Sequence, residues 1–390
     1  MSPSKKLLPK DSATVAINSL AQQKINAGLK IYNLSAGEPK LLPHPIITTA
    51  VTHALEQGLT LYPPVSGIAE LRYLACEWMN NSYNCSFKNE NCLVVNGGKF
   101  GIYLLMQLLI QNNDEVIIPS PYWVSYPEIT HLFGGTSVIV ETNEAEGWKL
   151  TPKALKNACS AKSKILILNN AANPTGALYT KSELTTLLHV AHEQDLLVIA
   201  DEVYSGLTYD GHTYISCGSF SQFSDRVIII QSCSKNFSMT GWRVGFVFAP
   251  ETIIQPLTAL ISQSTSGVTT LGQWAAIAVL NNSNVGLWVQ QCMQRRRDCI
   301  IHALDKYFGL TITPPLSSLY IYSSLKNLGV KNQSSEEFCK QALEKANVAL
   351  VPGTAFGNEG YVRLSFGGSE EDLQSGIQKL AQWLHSKKYQ

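Results

Sequence analysis

Two reactive side chains, Lys235 and Asp201, each follow an apolar run of the kind that forms a buried strand. Lys235 comes after residues 227–230, among small hydroxyl residues. Lysine is rarely buried without a partner, and partial desolvation or a nearby cation lowers its pKa, which suits Schiff-base chemistry. Asp201 follows residues 196–200, where a carboxylate can hold a proton on a pyridine nitrogen. Judged by position alone, Lys235 could also be an exposed loop lysine, and Asp201 could also be a helix N-cap.

Three more apolar runs end in groups that could bind a planar, phosphorylated molecule. Gly98 and Lys99 open the helical pattern 100–110, where backbone N–H groups and the helix dipole attract anions. Asn173 lies in the turn sequence NPTG, and Trp123 supplies a flat aromatic ring. Each motif alone is usually structural, and neither a Walker loop nor G-x-G-x-x-G is present. Together, an amine, a carboxylate, an anion cradle, an amide and an aromatic ring match a ring-plus-phosphate aldehyde cofactor.

These groups require a sheet whose strand ends meet at one edge. Apolar runs at 115–119, 138–140, 165–168, 196–200, 227–230 and 244–248 are separated in several places by helical patterns such as 180–193. This alternation predicts an α/β fold with a mainly parallel sheet that is covered by helices on both faces. A chain of 390 residues is too long for one core. The shorter strands 319–322 and 361–366, with a long helix over 285–308, indicate a smaller α+β domain.

Composition favours a compact globular protein and excludes several functions. Basic and acidic residues number 30 and 29, so we expect no nucleic-acid partner and no membrane surface. No run is long and apolar enough for a membrane span. The nine cysteines form no C-x-x-C pair, which favours a reducing cytoplasm. His189 and His192 are spaced as metal ligands but lack a third ligand, and we expect no metal.

The motifs together resemble a known family. The pattern S-x-x-K-x-F-x-M-x-G-x-R-x-G runs from Ser232 to Gly245, and D-E-V-Y and N-P-T-G precede it in that family's order. The chain resembles the class I, fold type I pyridoxal-phosphate aminotransferases, most of all the bacterial aspartate aminotransferase subgroup. The likeness extends from Ser35 to Ser365. It implies a seven-stranded large domain over 48–285, a small domain of 11–47 plus 286–390, and an N-terminal arm over 1–10.

The resemblance also implies a role for each site residue. The catalytic residues would be Lys235, which carries the cofactor and moves a proton, Asp201, on the ring nitrogen, and Tyr204. Cofactor contacts would come from Gly98, Lys99, Trp123, Asn173, Asp201, Tyr204, Ser232, Lys235 and Arg243, and from Tyr62 of a neighbouring subunit in a homodimer. Substrate contacts would come from Gly37, Lys99, Trp123, Asn173 and Arg363, with Arg363 binding the α-carboxylate.

The resemblance favours transfer of an amino group from aspartate or glutamate to a 2-oxo acid such as 2-oxoglutarate. Aromatic or other neutral amino acids, or a pyridoxal-phosphate lyase reaction on the same fold, remain alternatives. A regulator with such a ligand domain would need an added DNA-binding module, and a dehydrogenase would need G-x-G-x-x-G. Lys40 and Ala172 depart from the residues usual in the family and leave the substrate open.

Overall fold

The structure of the chain is a computed structural model that describes residues 13–387. The expected arm over 1–10, and residues 11, 12 and 388–390 of the expected small domain, lie outside the described residues. The helices are α1 Ala13–Asn26, α2 Pro45–Glu56, α3 Ala69–Tyr83, α4 Gly98–Leu109, α5 Ser125–Leu132, α6 Pro152–Ala158, α7 Lys181–Glu193, α8 Cys233–Asn236, α9 Glu251–Ser262, α10 Thr270–Leu280, α11 Ser283–Phe308, α12 Ser335–Lys345 and α13 Glu370–Lys387. The strands are β1 Tyr32–Asn33, β2 Cys92–Val95, β3 Glu115–Ser120, β4 Thr136–Glu141, β5 Ser163–Asn169, β6 Leu197–Asp201, β7 Val227–Ser232, β8 Gly245–Phe248, β9 Tyr320–Ser324, β10 Val348–Ala349, β11 Val351–Pro352 and β12 Tyr361–Ser365.

Seven strands form the main sheet in the order β2-β8-β7-β6-β5-β3-β4. The five neighbours from β7 to β4 run parallel, and their Val- and Ile-rich sequences are mostly buried because helices cover both faces. Strand β8 runs antiparallel to both β2 and β7. Strand β2 therefore points the same way as β7, and its carboxyl end lies at the same edge of the sheet. The expected mainly parallel α/β sheet is confirmed.

A second layer of structure packs beside this sheet. Strands β11, β12 and β9 form an antiparallel sheet, and β1 pairs in parallel with β10. Helices α11 and α13 pack against each other here, around a core that also takes Tyr204 and Leu207 from beyond β6. Helix α2 spans the predicted boundary at 47/48, and α11 spans the one at 285/286. The division into 48–285 and 11–47 plus 286–390 stays a prediction.

No helix within residues 13–387 combines the length and the hydropathy that crossing a membrane requires. All nine cysteines are free thiols, and seven of them are buried. Buried thiols of this kind act as small apolar side chains.

Candidate active site

The carboxyl ends of β2, β3, β5, β6 and β7 open into one cavity of about 370 Å³. A crevice at this edge is where open α/β sheets bind ligands. The second layer of structure closes the cavity through the segment 35–38 and strands β9 and β12. Helix α1 borders the mouth of the cavity. Eleven predicted residues line it: Gly37, Gly98, Lys99, Trp123, Asn173, Asp201, Tyr204, Ser232, Lys235, Arg243 and Arg363.

Lys235 projects into this cavity from α8, a single helical turn directly after β7. Its Nζ donates a hydrogen bond to the carbonyl oxygen of Gly37 at 2.6 Å. Burial lowers the pKa of Lys235 to about 8, Glu38 opposes that shift, and the positive charge of Arg243 adds to it. An amine with this pKa is partly neutral near neutral pH and can act as a nucleophile or a base.

Asp201 ends β6 beside Lys235 and is only 4% exposed. Its Oδ2 accepts a 2.6 Å hydrogen bond from the Tyr126 hydroxyl, and its Oδ1 accepts a weaker one from the Val203 N–H at 3.4 Å. Burial raises the pKa of Asp201 to about 6, against the opposing effects of Tyr126, Val203 and Lys235. The sequence analysis missed Tyr126, although it follows Trp123 by only three residues and the two ring centroids lie 5.3 Å apart.

The turn between β2 and α4 forms a cradle of backbone N–H groups next to Arg243. Gly97 has a φ of 83°, and a Cβ on it would collide with the Arg243 guanidinium. The guanidinium donates to the carbonyl oxygens of Thr240 at 2.9 Å and Asn96 at 3.3 Å, which fixes it beside the α4 N-terminus. The Ser232 hydroxyl lies in the same corner and donates to the Val244 carbonyl at 3.1 Å. This corner suits a phosphate.

Arg363 enters the cavity lining from β12 and is 2% exposed. Its Nη1 donates to Asn173 Oδ1 at 3.1 Å and its Nη2 to the Ser35 carbonyl at 2.8 Å. Within the described residues its buried Nε has no hydrogen-bond partner. A buried donor without a partner is costly, so this guanidinium suits a ligand carboxylate. The Tyr320 ring, 4.2 Å from the guanidinium carbon, covers it.

Tyr204 and Gly37 both contact Tyr320, a residue that the sequence analysis also missed. The Tyr204 and Tyr320 hydroxyls lie 2.7 Å apart, and burial raises the pKa of Tyr204 well above its usual range. A Cβ at position 37 would collide with the Tyr320 hydroxyl, so glycine is required for this close approach. A tyrosine inside a short apolar strand gives no signal that separates a site residue from a core residue.

Lys99 lies over the Trp123 ring, with its Nζ 4.8 Å from the ring centroid. Partial burial and the positive charge of Arg243 lower the pKa of Lys99. Lys40, which departs from the residue usual in the family, is exposed and does not line the cavity. Of these two lysines, Lys99 is therefore the one that can contact a bound molecule.

Tyr62 is the one predicted site residue that the structure does not bring to this chain's cavity. Its side chain is 91% exposed, next to Leu61, which is 81% exposed. Its role in a neighbouring subunit's site stays a prediction.

The cavity carries an excess of positive charge. Lys99, Lys235, Arg243 and Arg363 line it, against the carboxylates of Asp201 and Glu38. Two arginines on separate elements can bind two separate anions, and an amine and a buried carboxylate line the same cavity. Such an arrangement suits a substrate carboxylate, a phosphate and a reacting carbon held between the two. Among residues 13–387, no three His, Cys, Asp or Glu side chains cluster as metal ligands.

Comparisons with known proteins agree with this geometry. The family model for aminotransferase class I and II matches residues 30–380. The aspartate aminotransferase of Bacillus subtilis is 36% identical over 96% of both chains. The aspartate/prephenate aminotransferase of Thermus thermophilus is 35% identical over 96% of both chains. A solved structure of Thermus thermophilus aspartate aminotransferase with maleate superposes with a TM-score of 0.90, at 35% identity, over 96% of this chain and 97% of that one.

Proposed function

Because this chain belongs to the class I and II aminotransferase family and is a transaminase, we propose that it binds pyridoxal phosphate through Lys235 and transfers an amino group from aspartate or glutamate to a 2-oxo acid such as 2-oxoglutarate. Members of this family use pyridoxal phosphate. The observation that carries the proposal is the position of Lys235 Nζ inside a cavity that it shares with the buried Asp201 carboxylate, the Gly97–Gly98 cradle and Arg363.

The residues of the cavity fit this cofactor. The cradle at the start of α4, with Arg243 and Ser232, would hold the phosphate. The Asp201 carboxylate would hold the ring nitrogen in its protonated form, and the Tyr126 hydrogen bond fixes that carboxylate. Asn173 and Tyr204 would donate to the ring oxygen, and Trp123 would cover a ring face. Bound pyridoxal phosphate supplies an aldehyde carbon for the amine and a ring that withdraws electrons from the substrate Cα.

The chain's own residues then position the substrate and move its proton. Arg363 would bind the α-carboxylate through two parallel hydrogen bonds beside Gly37, so that the substrate Cα lies near Lys235. The Lys235 amine would take the proton from Cα and return it, which its lowered pKa makes possible near neutral pH. The Tyr320 ring and β12 shield this side from water.

The acidic substrate follows from Lys99. Its ammonium group lines the same cavity as Arg363, whose own contacts are with Asn173 and Ser35. A second carboxylate on the substrate would be attracted to it. The relatives named above are aspartate aminotransferases, and the Thermus thermophilus structure contains maleate, a dicarboxylate.

A panel of amino donors with 2-oxoglutarate tests the substrate. An ammonium–carboxylate contact in a closed site is worth about 1.5–3 kcal/mol, which converts to roughly 10- to 150-fold in kcat/KM. We expect Lys99→Ala to lose that factor for aspartate and glutamate and to change little for alanine or phenylalanine. Lys40→Ala is the matched control and should leave all donors unchanged. The acidic assignment fails if wild type uses aspartate poorly, or if Lys99→Ala weakens every donor equally.

Borohydride reduction tests the cofactor site. Purified protein should be yellow, and reduction should fix the cofactor on the peptide that contains Lys235. A label on any other lysine would show that the site is wrong.

The proposal includes a homodimer with shared sites, and it is supported by the exposed Tyr62 and Leu61. Large exposed apolar side chains that lie together are typical of contact surfaces between subunits. The free state of all nine cysteines supports action in a reducing cytoplasm.

A further inference from the structure

Helix α1 borders the cavity mouth and is tied to the rest of the chain by a side-chain hydrogen bond. Thr14, Val15 and Asn18 of this helix line the cavity. The Oδ1 of Asn18 accepts a hydrogen bond from Nδ2 of Asn33 at 2.7 Å. Asn33 itself lies in β1 and does not line the cavity.

The carbonyl oxygen of the Asn33 side chain holds Ser35, the residue to which Arg363 donates a hydrogen bond. Its Oδ1 accepts hydrogen bonds from the Ser35 N–H at 3.1 Å and from the Ser35 hydroxyl at 2.7 Å. Ser35 is 1% exposed, and its carbonyl oxygen accepts the 2.8 Å bond from Arg363 Nη2. An unbroken chain of hydrogen bonds therefore runs from α1 through Asn33 and Ser35 to the arginine.

Asn33 holds Asn18 and Ser35 together because it contacts one with each end of its side-chain amide. The NH₂ group is committed to α1 and the carbonyl oxygen to Ser35, so rotating the amide would break bonds on both sides. Arg363 can keep its bond to Ser35 while its unpartnered Nε turns to a ligand carboxylate. A shift of the guanidinium toward a carboxylate would then move Ser35, and through Asn33 it would move α1.

We propose that Asn33 is a positioning residue. It couples the position of α1 at the cavity to the binding of the substrate carboxylate by Arg363. This inference rests on the proposed role of Arg363. Asn33 touches no substrate in this scheme and acts through Asn18 and Ser35.

The first test measures maleate binding and steady-state kinetics of the holoenzyme with Asn33→Ala. We expect the Kd of maleate and the KM of aspartate to rise by about 5- to 20-fold, within the range of coupling between sites. The kcat should stay within about twofold, since Lys235 and Asp201 are untouched. Gln22→Ala is the matched control, because Gln22 lies on the exposed surface of the same helix, where its side chain donates a 3.0 Å hydrogen bond to the Asn26 side chain. A uniform fall in kcat with unchanged KM would overturn the coupling.

A second variant breaks the chain at its other end and leaves the Ser35 turn intact. Asn18→Ala should weaken maleate binding. The double variant Asn18→Ala/Asn33→Ala should have the same affinity for maleate as whichever single variant binds it less tightly. Losses that add in the double variant would mean two independent contacts and would overturn the proposal. Hydrogen exchange gives a readout without turnover. Maleate should slow exchange of α1 amides in wild type but not in Asn33→Ala, and equal slowing in both would also overturn it.

Arg363→Lys separates this inference from the proposed function. If Arg363→Lys binds maleate as wild type does, the carboxylate role of Arg363 fails, and the coupling fails with it. If Arg363→Lys loses maleate while Asn33→Ala binds it as wild type does, the coupling alone is overturned.

Discussion

At the scale of single residues, burial moves the pKa values of Lys235 and Asp201 toward each other. Removal from water disfavours both charged forms, so it lowers the pKa of Lys235 to about 8 and raises that of Asp201 to about 6. Each side chain favours the charged form of the other and limits the other's shift. Near neutral pH the lysine is thus partly neutral while the aspartate is mostly ionised, which is the pairing that a reactive amine and a ring-nitrogen partner require.

The lowered pKa of Lys235 predicts how cofactor capture depends on pH. In the cofactor-free protein, only the neutral amine attacks an aldehyde, so the rate of bond formation should rise as the pH passes through about 8 and then level off. Rapid-mixing absorbance with pyridoxal phosphate from about pH 6 to 10 measures this, and an ordinary lysine would level off only above about 10.4. Lys235→Ala should give no such phase. A rate that still climbs steeply at the top of this range would contradict the assignment.

Asp201 and its neighbour Glu202 allow a matched comparison of two buried carboxyl groups. Asp201→Asn removes the charge that faces the cavity, and kcat should fall by about 10²- to 10³-fold, as when other preorganised electrostatic contacts are lost. Glu202 accepts a 2.7 Å hydrogen bond from the Cys217 N–H, away from the cavity, and burial raises its pKa to about 8.

Glu202 therefore already carries its proton at neutral pH, and Glu202→Gln should leave kcat almost unchanged. Steady-state rates with aspartate and 2-oxoglutarate measure both variants. Equal effects of the two substitutions would remove the special role of Asp201.

Sequence reasoning found the residues of the site that come directly after strands, and it missed those that support them. Lys235, Asp201, Asn173 and Trp123 follow apolar runs and carry motifs, so their convergence could be predicted. Tyr126 and Tyr320 were not found, because an aromatic residue in an apolar element is usually part of the core. Only the three-dimensional packing shows which hydroxyl meets which polar partner.

At the scale of elements, the start of α4 determines how the phosphate corner is built. The sequence predicted a helix from residue 100, and the observed helix starts two residues earlier, at Gly98. Gly98 lies so close to the sheet that a Cβ there would be 3.0 Å from Val203 Cγ1 and 3.1 Å from Ile230 Cγ2. Glycine at this position lets the helix N-terminus approach the cavity.

Gly98→Ala should displace α4 and weaken cofactor binding. Overpacking of this kind costs about 1–3 kcal/mol, so we expect the Kd of pyridoxal phosphate to rise by about tenfold. Gly241→Ala is the control, since a Cβ there meets no atom within 4 Å and Gly241 lies two residues before Arg243. Titration of the cofactor-free variants by fluorescence measures the difference. Unchanged affinity in Gly98→Ala would contradict the close-packing argument.

The strands could be predicted more fully than the helices. Buried parallel strands are short apolar runs, and the six predicted runs all became strands of the main sheet. Helices α2, α3, α9 and α10 had no individual prediction. Helix α10 is apolar on nearly every side because it packs among α2, α3 and α11, so it lacks the periodic polar face that marks a surface helix.

At the scale of the whole molecule, the exposed Tyr62 supports the proposed sharing of active sites between two subunits. A tyrosine with a 91% exposed side chain buries little of its ring in its own subunit. Tyr62 does not line the chain's own cavity, and its proposed place is in the site of a neighbouring subunit.

Hybrid dimers test whether sites are shared. We expect Lys235→Ala to be inactive and Tyr62→Arg to be strongly impaired as separate proteins. After the two are mixed and exchange subunits, half of the dimers are hybrids with one intact site each, so about a quarter of wild-type activity should return. The formation of hybrids is checked with two different affinity tags. No recovery in isolated hybrids would refute the shared site. In the control experiment, Tyr73→Arg replaces Tyr62→Arg in the mixture, since Tyr73 is another exposed tyrosine.

The position of β2 has a consequence for the order in which the protein can be built during synthesis. Strand β2 is the first strand of the main sheet to leave the ribosome, yet it is held at the sheet edge by β8, the last strand of that sheet in the chain. The phosphate cradle that follows β2 therefore has no fixed place until residue 248 has emerged and a long loop has closed. Until then the nascent chain can form the β3–β7 part of the sheet, with Asp201 and Lys235 at its edge, but it cannot hold the phosphate.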